Sequence, residues 1–320
     1  MNVLVTGGSG FVGSFLTETL VQKGYRVTCL VRHTSDLGYI RHLDIEFLYA
    51  DLCDRDAYGA ELGRFDYIYH AAGITKAGSE KEYFHANAEG TESLIRAASE
   101  SCPGVKRFLL VSSLAAAGPS LDGDPLTEEA EPHPVSAYGR SKLQGEKAVL
   151  AYRDRVPITI VRPPAVYGPR DRDFFLIFQA VRHGIFPYWG RCFYSLIHVE
   201  DLVKGLILCA EQNRAEGKTY YLADRRIYSN DDILAGLSAA LGKKAFRLRL
   251  PRSILPIVAA LTKKKRKKGI INPDKIQEIR YSNWTCNPLR AEKDLGFSTT
   301  MPLEQGLRNT AEWYRKEKWL

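Results

Sequence analysis

Six short runs of mostly apolar residues punctuate the first half of the chain: 2–6 (NVLVT), 26–31 (RVTCLV), 45–50 (IEFLYA), 67–72 (YIYHAA), 107–113 (RFLLVSS) and 158–163 (ITIVRP). Their hydrophobicity is continuous rather than alternating, the pattern of strands covered on both faces. Between them lie stretches with helical spacing, clearest at 11–23, 82–101 and 137–153. Strand and helix alternate, and that rhythm predicts an α/β fold with a doubly wound parallel sheet.

After Val166 the rhythm gives way to proline-, aromatic- and arginine-rich sequence. It returns at 198–211 (HVEDLVKGLILCAE) and 218–223 (KTYYLA), so the chain is expected to revisit its first domain before finishing in a mostly helical segment. The boundaries that follow are 1–165 plus 196–223 for the first domain, and 166–195 plus 224–320 for a smaller, mostly helical second lobe.

Composition narrows the class. The chain has 320 residues, 45% of them hydrophobic, enough for a substantial core. Cys29, Cys53, Cys102, Cys192, Cys209 and Cys286 are widely spaced without CxxC, so neither a disulfide framework nor a metal site is indicated, and a reducing compartment, the cytoplasm, is expected. The opening MNVLVTGGSG enters a strand at once, unlike a signal peptide, and no run reaches the ~20 apolar residues that cross a bilayer. The net charge is +8, but residues 263–268 (KKKRKK) hold six of those charges. With no helix-turn-helix, zinc-finger or RNA-binding signature beside them, nucleic acid is not an expected partner. The wider stretch 251–268, apolar and then densely basic, reads either as a peripheral contact with an anionic membrane, at its inner surface, or as a core helix followed by a solvated loop.

The first strand runs into TGGSGFVG, with glycines at Gly7, Gly10 and Gly13, and the first helix follows. In that context Gly7 permits the tight turn, Gly10 the approach of backbone to a pyrophosphate, and Gly13 close helix packing, while the helix N-terminus offers free N–H groups to the anion. The fold expected is therefore of the Rossmann type, binding a dinucleotide. An NAD-preferring site carries an acidic residue about 20 positions after the turn; here Val31 and Arg32 stand there. A guanidinium can bind a 2′-phosphate that a carboxylate would repel, so NADP(H) is the expected cofactor and NAD(H) the alternative.

Residues 138–142 read YGRSK, which puts Tyr138 and Lys142 on one helix face. The same spacing recurs at Tyr314 and Lys318 in YRKEK, so spacing alone does not choose between them.

The glycine turn, VSSLAAAG (111–118) and YGRSK together resemble the extended short-chain dehydrogenase/reductase superfamily, which includes NAD-dependent epimerases and dehydratases and the 3β-hydroxysteroid dehydrogenase-like and dihydroflavonol reductase-like enzymes. ADL (50–52), HAAG (70–73), NAEGT (87–91), RPPAVYGP (162–169), HVEDLV (198–203) and EWYR (312–315) extend the resemblance over nearly the whole length. It implies that Ser113, Tyr138 and Lys142 are catalytic, and that Tyr314 and Lys318 are ordinary helix residues. Tyr138 would exchange a proton with the substrate oxygen, Ser113 would hydrogen-bond that oxygen, and Lys142 would lower the tyrosine pKa from its usual value of about 10. It also implies cofactor contacts at Gly7, Ser9, Gly10, Phe11, Val12, Gly13, Arg32, Asp51, Leu52, Ala71, Ala72, Gly73, Val111, Tyr138, Lys142 (at the nicotinamide ribose), Pro163 and Val166, and substrate contacts at Thr75, Ser113, Ala165 and Tyr194.

Two positions bear on the reaction. Sugar-nucleotide members usually carry an asparagine where this chain has Ala165, and a diphosphate-binding arginine where it has Tyr194. Arg170, Arg172, Arg182 and Arg191 are possible substitutes. Phe174, Phe175, Phe178, Phe186, Tyr188 and Trp189 supply apolar surface for a pocket or for the lobe's own core. The expectation is an oxidoreductase acting on a secondary alcohol or ketone of an apolar, lipid-like small molecule. The alternatives are a UDP-sugar 4-epimerase and a non-catalytic dinucleotide sensor. The resemblance further suggests a homodimer through 82–101 and 137–153, with Leu94, Ile95, Ala98, Leu143 and Val149 either in the seam or against the sheet.

Overall fold

The computed structural model describes residues 1–251 and 273–320, and in it all six apolar runs are strands of one sheet. They are β1 (Asn2–Thr6), β2 (Arg26–Val31), β3 (Glu46–Tyr49), β4 (Tyr67–His70), β5 (Arg107–Val111) and β6 (Ile158–Val161); Lys218–Tyr220 (β10) adds a seventh. The order is β10-β6-β5-β4-β1-β2-β3, parallel throughout. Central β1 pairs with β2 on one side and β4 on the other, which makes the carboxyl edge between β1 and β4 the topological switch point where such sheets bind ligands. Four of the runs end sooner than their hydrophobicity suggests, at Tyr49, His70, Val111 and Val161. The residues left over, among them Ala71, Ala72, Ser112, Ser113 and Pro163, lie just past that edge.

Successive β1 side chains point to opposite faces. Val3 and Val5 join Leu16, Leu20, Leu202 and Leu206 on one side, and Leu4 joins Ile68, Leu94, Ile95 and Phe108 on the other. Helices α1 (Phe11–Gln22) and α7 (Val199–Glu211) cover the first side, and α3 (Gly90–Ser101) with α5 (Ala137–Leu150) the second. Ala291, Leu295 and Phe297, which the sequence pattern assigns to the second lobe, pack into the first of these cores.

The helix expected over 82–101 is broken. It comprises α2 (Glu80–Phe84), a π turn at His85–Glu89, and α3. Buried Asn87 sits in the turn and bonds the Ile74 backbone twice, accepting from its N–H at 2.8 Å and donating to its carbonyl at 3.0 Å. Gly145 of α5 passes so close that a Cβ there would lie 2.5 Å from the Asn87 carbonyl oxygen. Leu94, Ile95, Ala98 and Val149 are fully buried against the sheet, so they form no dimer seam; of the five candidates, Leu143 alone is half-buried.

The second lobe contains α6 (Arg172–Arg182), α8 (Asn230–Leu241) and the helix Leu303–Lys316. Short strands accompany them: β7 (Ala165–Tyr167) and β9 (Phe193–His198) in a small sheet with Ile227–Ser229 and Asn283–Trp284, and a two-stranded ribbon of β8 (Ile185–Tyr188) and β12 (Phe246–Arg249). Tyr314 is buried in this lobe's core and donates to the Asp171 carbonyl at 2.5 Å, while Lys318 lies beyond the helix end. The second tyrosine–lysine pair is thus structural. The stretch 251–268 falls, apart from Pro251, outside the described residues.

A buried ion pair ties α5 to the end of β6. The Arg162 guanidinium meets both Glu146 oxygens, Nε–Oε1 at 2.9 Å and NH2–Oε2 at 2.6 Å, and Ser112 donates to the same carboxylate. Arg162→Met leaves that carboxylate buried without its cation, and urea unfolding is expected to show a loss of about 3–5 kcal/mol. Replacing Glu146 by Met as well should restore much of the loss; an Arg162→Met protein of undiminished stability would show that the pair does not hold the helix.

Candidate active site

The glycine turn is sterically closed to other residues. Gly7 has φ +72°, and a Cβ there would stand 2.6 Å from the Ala72 nitrogen; at Gly13 it would stand 2.0 Å from the Gly7 oxygen. Helix α1 is thereby drawn against the end of β1. Gly10 begins α1 without a side-chain cap, and its first turn carries no acidic residue. Half-buried Ser9, Phe11 and Val12 surround this open N-terminus. Uncapped N–H groups beside a cradle that any Cβ would fill fit a dinucleotide pyrophosphate.

Farther along the same edge, Arg32 is exposed in a turn closed by Ser35, and its side chain forms no ion pair among the described residues. Asp36 accepts from the Gly38 N–H and stays with its own loop. Asp51 accepts from the Cys53 N–H, and Leu52 packs beneath Gly90. Asp51, Cys53 and His85 bring three potential ligand groups together on this exposed surface, a convergence across 32 positions that sequence spacing hides.

Ser113, Tyr138 and Lys142 do converge. Ser113 follows β5, caps the short helix α4 (Leu114–Ala117), and hydrogen-bonds the Tyr138 phenol. Lys142 is 4% exposed and donates to the Val111 carbonyl at 2.8 Å. Its nitrogen would be 3.6 Å from a Cβ on Gly73, so the 71–73 loop and the lysine share one corner. Burial pulls Lys142 down to about 8, with Glu146 one turn along opposing the fall. Tyr138 departs from expectation. Burial pushes its phenol up to about 12; the Ser113 hydrogen bond lowers it, while Glu278, Tyr83 and Asp173 raise it. Lys142 faces a carbonyl instead of the phenol, so Ser113 supplies the lowering influence that the sequence assigned to the ammonium.

The remaining candidates are more dispersed. Thr75 is exposed, and its carbonyl accepts from Tyr83, whose ring centroid lies 6.1 Å from that of Tyr138. Pro163 is buried and accepts from the Leu114 N–H. Val166, Ala165 and Tyr194 lie on adjoining strands, with Ala165 opposite Leu196, two residues beyond Tyr194. Phe174, Phe178 and Phe186 belong to the second lobe's core, and Phe175 and Tyr188 pack partly against it. Arg170 pairs with Glu18 at 2.7 Å and stacks on Phe15, Arg172 stacks over Trp319, and Arg191 over Phe193.

Two residues that the sequence reading missed hold the tyrosine's helix. From helix Pro273–Ile279, Asp274 accepts from the Ala137 N–H at 2.6 Å and from the Tyr138 N–H at 3.0 Å. Glu278 accepts from the Ser136 hydroxyl at 3.0 Å, and that hydroxyl accepts in turn from the Gly139 N–H. The first turn of α5 is therefore closed, whereas that of α1 is open.

A parallel sheet with an open glycine-turned helix at its switch point, and a serine, tyrosine and lysine gathered beyond β5, defines a dinucleotide-binding enzyme. The sequence profile of the NAD dependent epimerase/dehydratase family matches residues 3–223, and the chain belongs to that family. A ceramide reductase of Caulobacter vibrioides is 32% identical over 99% of this chain and 96% of its own length. A 4-hydroxy-2-methyl-3-oxo-4-farnesyl-3,4-dihydroquinoline-1-oxide ketoreductase of Stigmatella aurantiaca is 28% identical over 96% and 95% respectively. Among solved structures, MoeE5 in complex with UDP-glucuronic acid and NAD superposes with a TM-score of 0.80 at 22% identity, covering 99% of this chain and 100% of that one. With named oxidoreductases among its relatives, the chain is an enzyme of an NAD-binding family.

The Asp274 clasp is directly measurable. Asp274→Ala removes the acceptor of two first-turn amides, which is expected to cost ~1 kcal/mol and to speed hydrogen exchange at Ala137 and Tyr138 about fivefold. Unchanged exchange at those two amides would show that the carboxylate does not hold the helix start.

Proposed function

We propose that the protein is an NADP(H)-preferring reductase of a ketone on a long-chain lipid, most simply the keto form of a ceramide-like amide. One observation carries the substrate class: Ala165 and Tyr194 leave both usual diphosphate anchor positions without a polar anchor or a cation, and of the arginines that could replace them Arg170 is held by Glu18 and lies over Phe15, while exposed Arg172 and Arg191 lie over Trp319 and Phe193. A pyrophosphate without charge-assisted partners binds poorly, whereas an uncharged lipid needs none. The ceramide reductase and farnesyl ketoreductase relatives support the same reading. The UDP-sugar 4-epimerase alternative draws on a UDP-glucose 4-epimerase of Vibrio cholerae, 29% identical over 78% of this chain and 79% of its own length, and on the fold shared with MoeE5 at 22% identity.

The bound dinucleotide supplies the hydride. Tyr138, protonated throughout the physiological range because burial holds its phenol near 12, gives the carbonyl oxygen its proton. Ser113 donates to that oxygen as charge builds on it. Lys142 keeps a positive charge in the corner formed by Gly73 and Val111. On the cofactor side, the unpaired guanidinium of Arg32 supports recognition of a 2′-phosphate. Within this reading, residues 251–268 give an apolar and cationic approach to an anionic membrane, and the family resemblance adds a homodimer with half-buried Leu143 near its seam.

Purified protein with NADPH and a ceramide-type ketone is expected to show stoichiometric loss of nicotinamide absorbance; conversion of UDP-glucose with NAD and no net cofactor consumption would instead favour the epimerase. Tyr138→Phe should lower reduction by roughly 10²–10⁴-fold while cofactor binding persists. Because Lys142 loses its charge as the pH rises through about 8, kcat/KM for reduction should decline above that pH; a flat profile to pH 10 would rule out a role for the ammonium charge. Arg32→Ala should reduce the NADPH-to-NADH preference by roughly ten- to a hundredfold, and an unchanged preference would remove Arg32 from the cofactor site.

A further inference from the structure

The β8/β12 ribbon has one face without a core. Its parallel register sets Ile185 opposite Phe246 and Pro187 opposite Leu248, so these four apolar side chains share a face. The alternate residues Phe186 and Tyr188 turn inward onto the second lobe's core. On the outer face Phe246 is 73% exposed, Ile185 44% and Leu248 41%; Phe246 exceeds every other large apolar residue among the described residues.

The rim of this face is cationic. Residues 182–191 and 243–251, which form the ribbon and its ends, contain six lysines and arginines and no acidic residue. Arg247 is paired with Asp231 at 3.0 Å. Lys243, Lys244, Arg182 and Arg249 are exposed and form no ion pair among the described residues. Half-buried Tyr188 and Trp189 lie at the ribbon's end. Protein interfaces are depleted in lysine. Apolar side chains ringed by lysine and arginine are instead the composition of a surface that settles into anionic headgroups.

We infer that the outer face of the β8/β12 ribbon is a docking surface for an anionic lipid bilayer. Phe246, Leu248, Ile185 and Pro187 enter the headgroup boundary, and Lys243, Lys244 and Arg182 at the ribbon's ends meet the phosphates. The surface stands apart from the active site. Helix α6 has Asp173 near its start, where it acts on the Tyr138 phenol, and its 11 residues end just before β8, a span of roughly 16 Å.

The test is flotation of the full chain with vesicles of phosphatidylglycerol and phosphatidylcholine, against vesicles of phosphatidylcholine alone. It uses neither cofactor nor substrate, so its failure and the failure of the reductase reading are separate results. The wild-type protein is expected to float with the anionic vesicles. Phe246→Ser combined with Leu248→Ser should weaken partitioning roughly tenfold, and Lys243→Glu combined with Lys244→Glu should weaken it as much. Both variants should show the wild-type circular dichroism spectrum and a cooperative thermal transition, which shows that they are folded. No flotation of the wild type, or flotation of both variants to the wild-type extent, would overturn the proposal; the latter would assign membrane binding to another part of the chain. A fall in solution mass from dimer to monomer in the serine variant would overturn it too, by giving this face to a second copy.

Discussion

The site depends on where α5 begins, and a carboxylate far along the chain helps fix that point. Asp274 takes the N–H groups of Ala137 and Tyr138, 137 and 136 positions away, and Ser136 takes that of Gly139. A carboxylate is favoured there because the amides and the helix dipole present positive charge. Tyr138 stands in this first turn, so the position of its phenol follows from the clasp. The same electrostatics operate at α1, where no side chain of the chain itself answers the dipole. One helix start is satisfied internally and kept rigid; the other is left for an anion to satisfy.

Burial sets the proton chemistry between these two helices. Lys142 and the Tyr138 phenol both lose solvent as α5 packs over the end of β5, and desolvation favours the neutral form of each, lowering the lysine and raising the tyrosine. Glu146 opposes the fall of Lys142 because it lies one turn along the same helix. Its two oxygens are also the ones that Arg162 grips, so the residue that anchors the helix is the one that acts on the lysine. Packing and electrostatics are coupled here through one side chain.

The sheet was legible in the sequence because strands covered on both faces need continuous hydrophobicity, and all six runs carry it. The glycine turn was legible because each glycine answers a steric demand that the structure contains, at Gly7 through φ and at Gly13 through contact with the Gly7 carbonyl. The break at 85–89 was not, since it accompanies contacts of the Asn87 side chain with a loop 13 residues earlier. Leu94, Ile95, Ala98 and Val149 show the limit of periodicity, which identifies an apolar stripe without saying whether a sheet or a partner covers it. Asp274 and Glu278 gave no signal because their meaning lies in a contact across more than a hundred positions. Spacing put Lys142 on the helix face of Tyr138, yet did not reveal that its nitrogen turns to the Val111 carbonyl.

The second lobe brings the arginines and the aromatics under one explanation. Arg170 is held by the Glu18 carboxylate over the Phe15 ring, whereas exposed Arg172 and Arg191 each stand over a single ring, Trp319 and Phe193. Phe174, Phe178 and Phe186 are consumed in packing α6 and β8 onto the lobe's core, so these three do not line an open cavity. Their burial keeps α6 in one orientation between the tyrosine and the ribbon. The groups at the tyrosine end are polar and on the surface, where Lys76 pairs with Asp173 and Arg140 with Glu80, so α6 joins a charged rim at one end to an apolar core along its buried face.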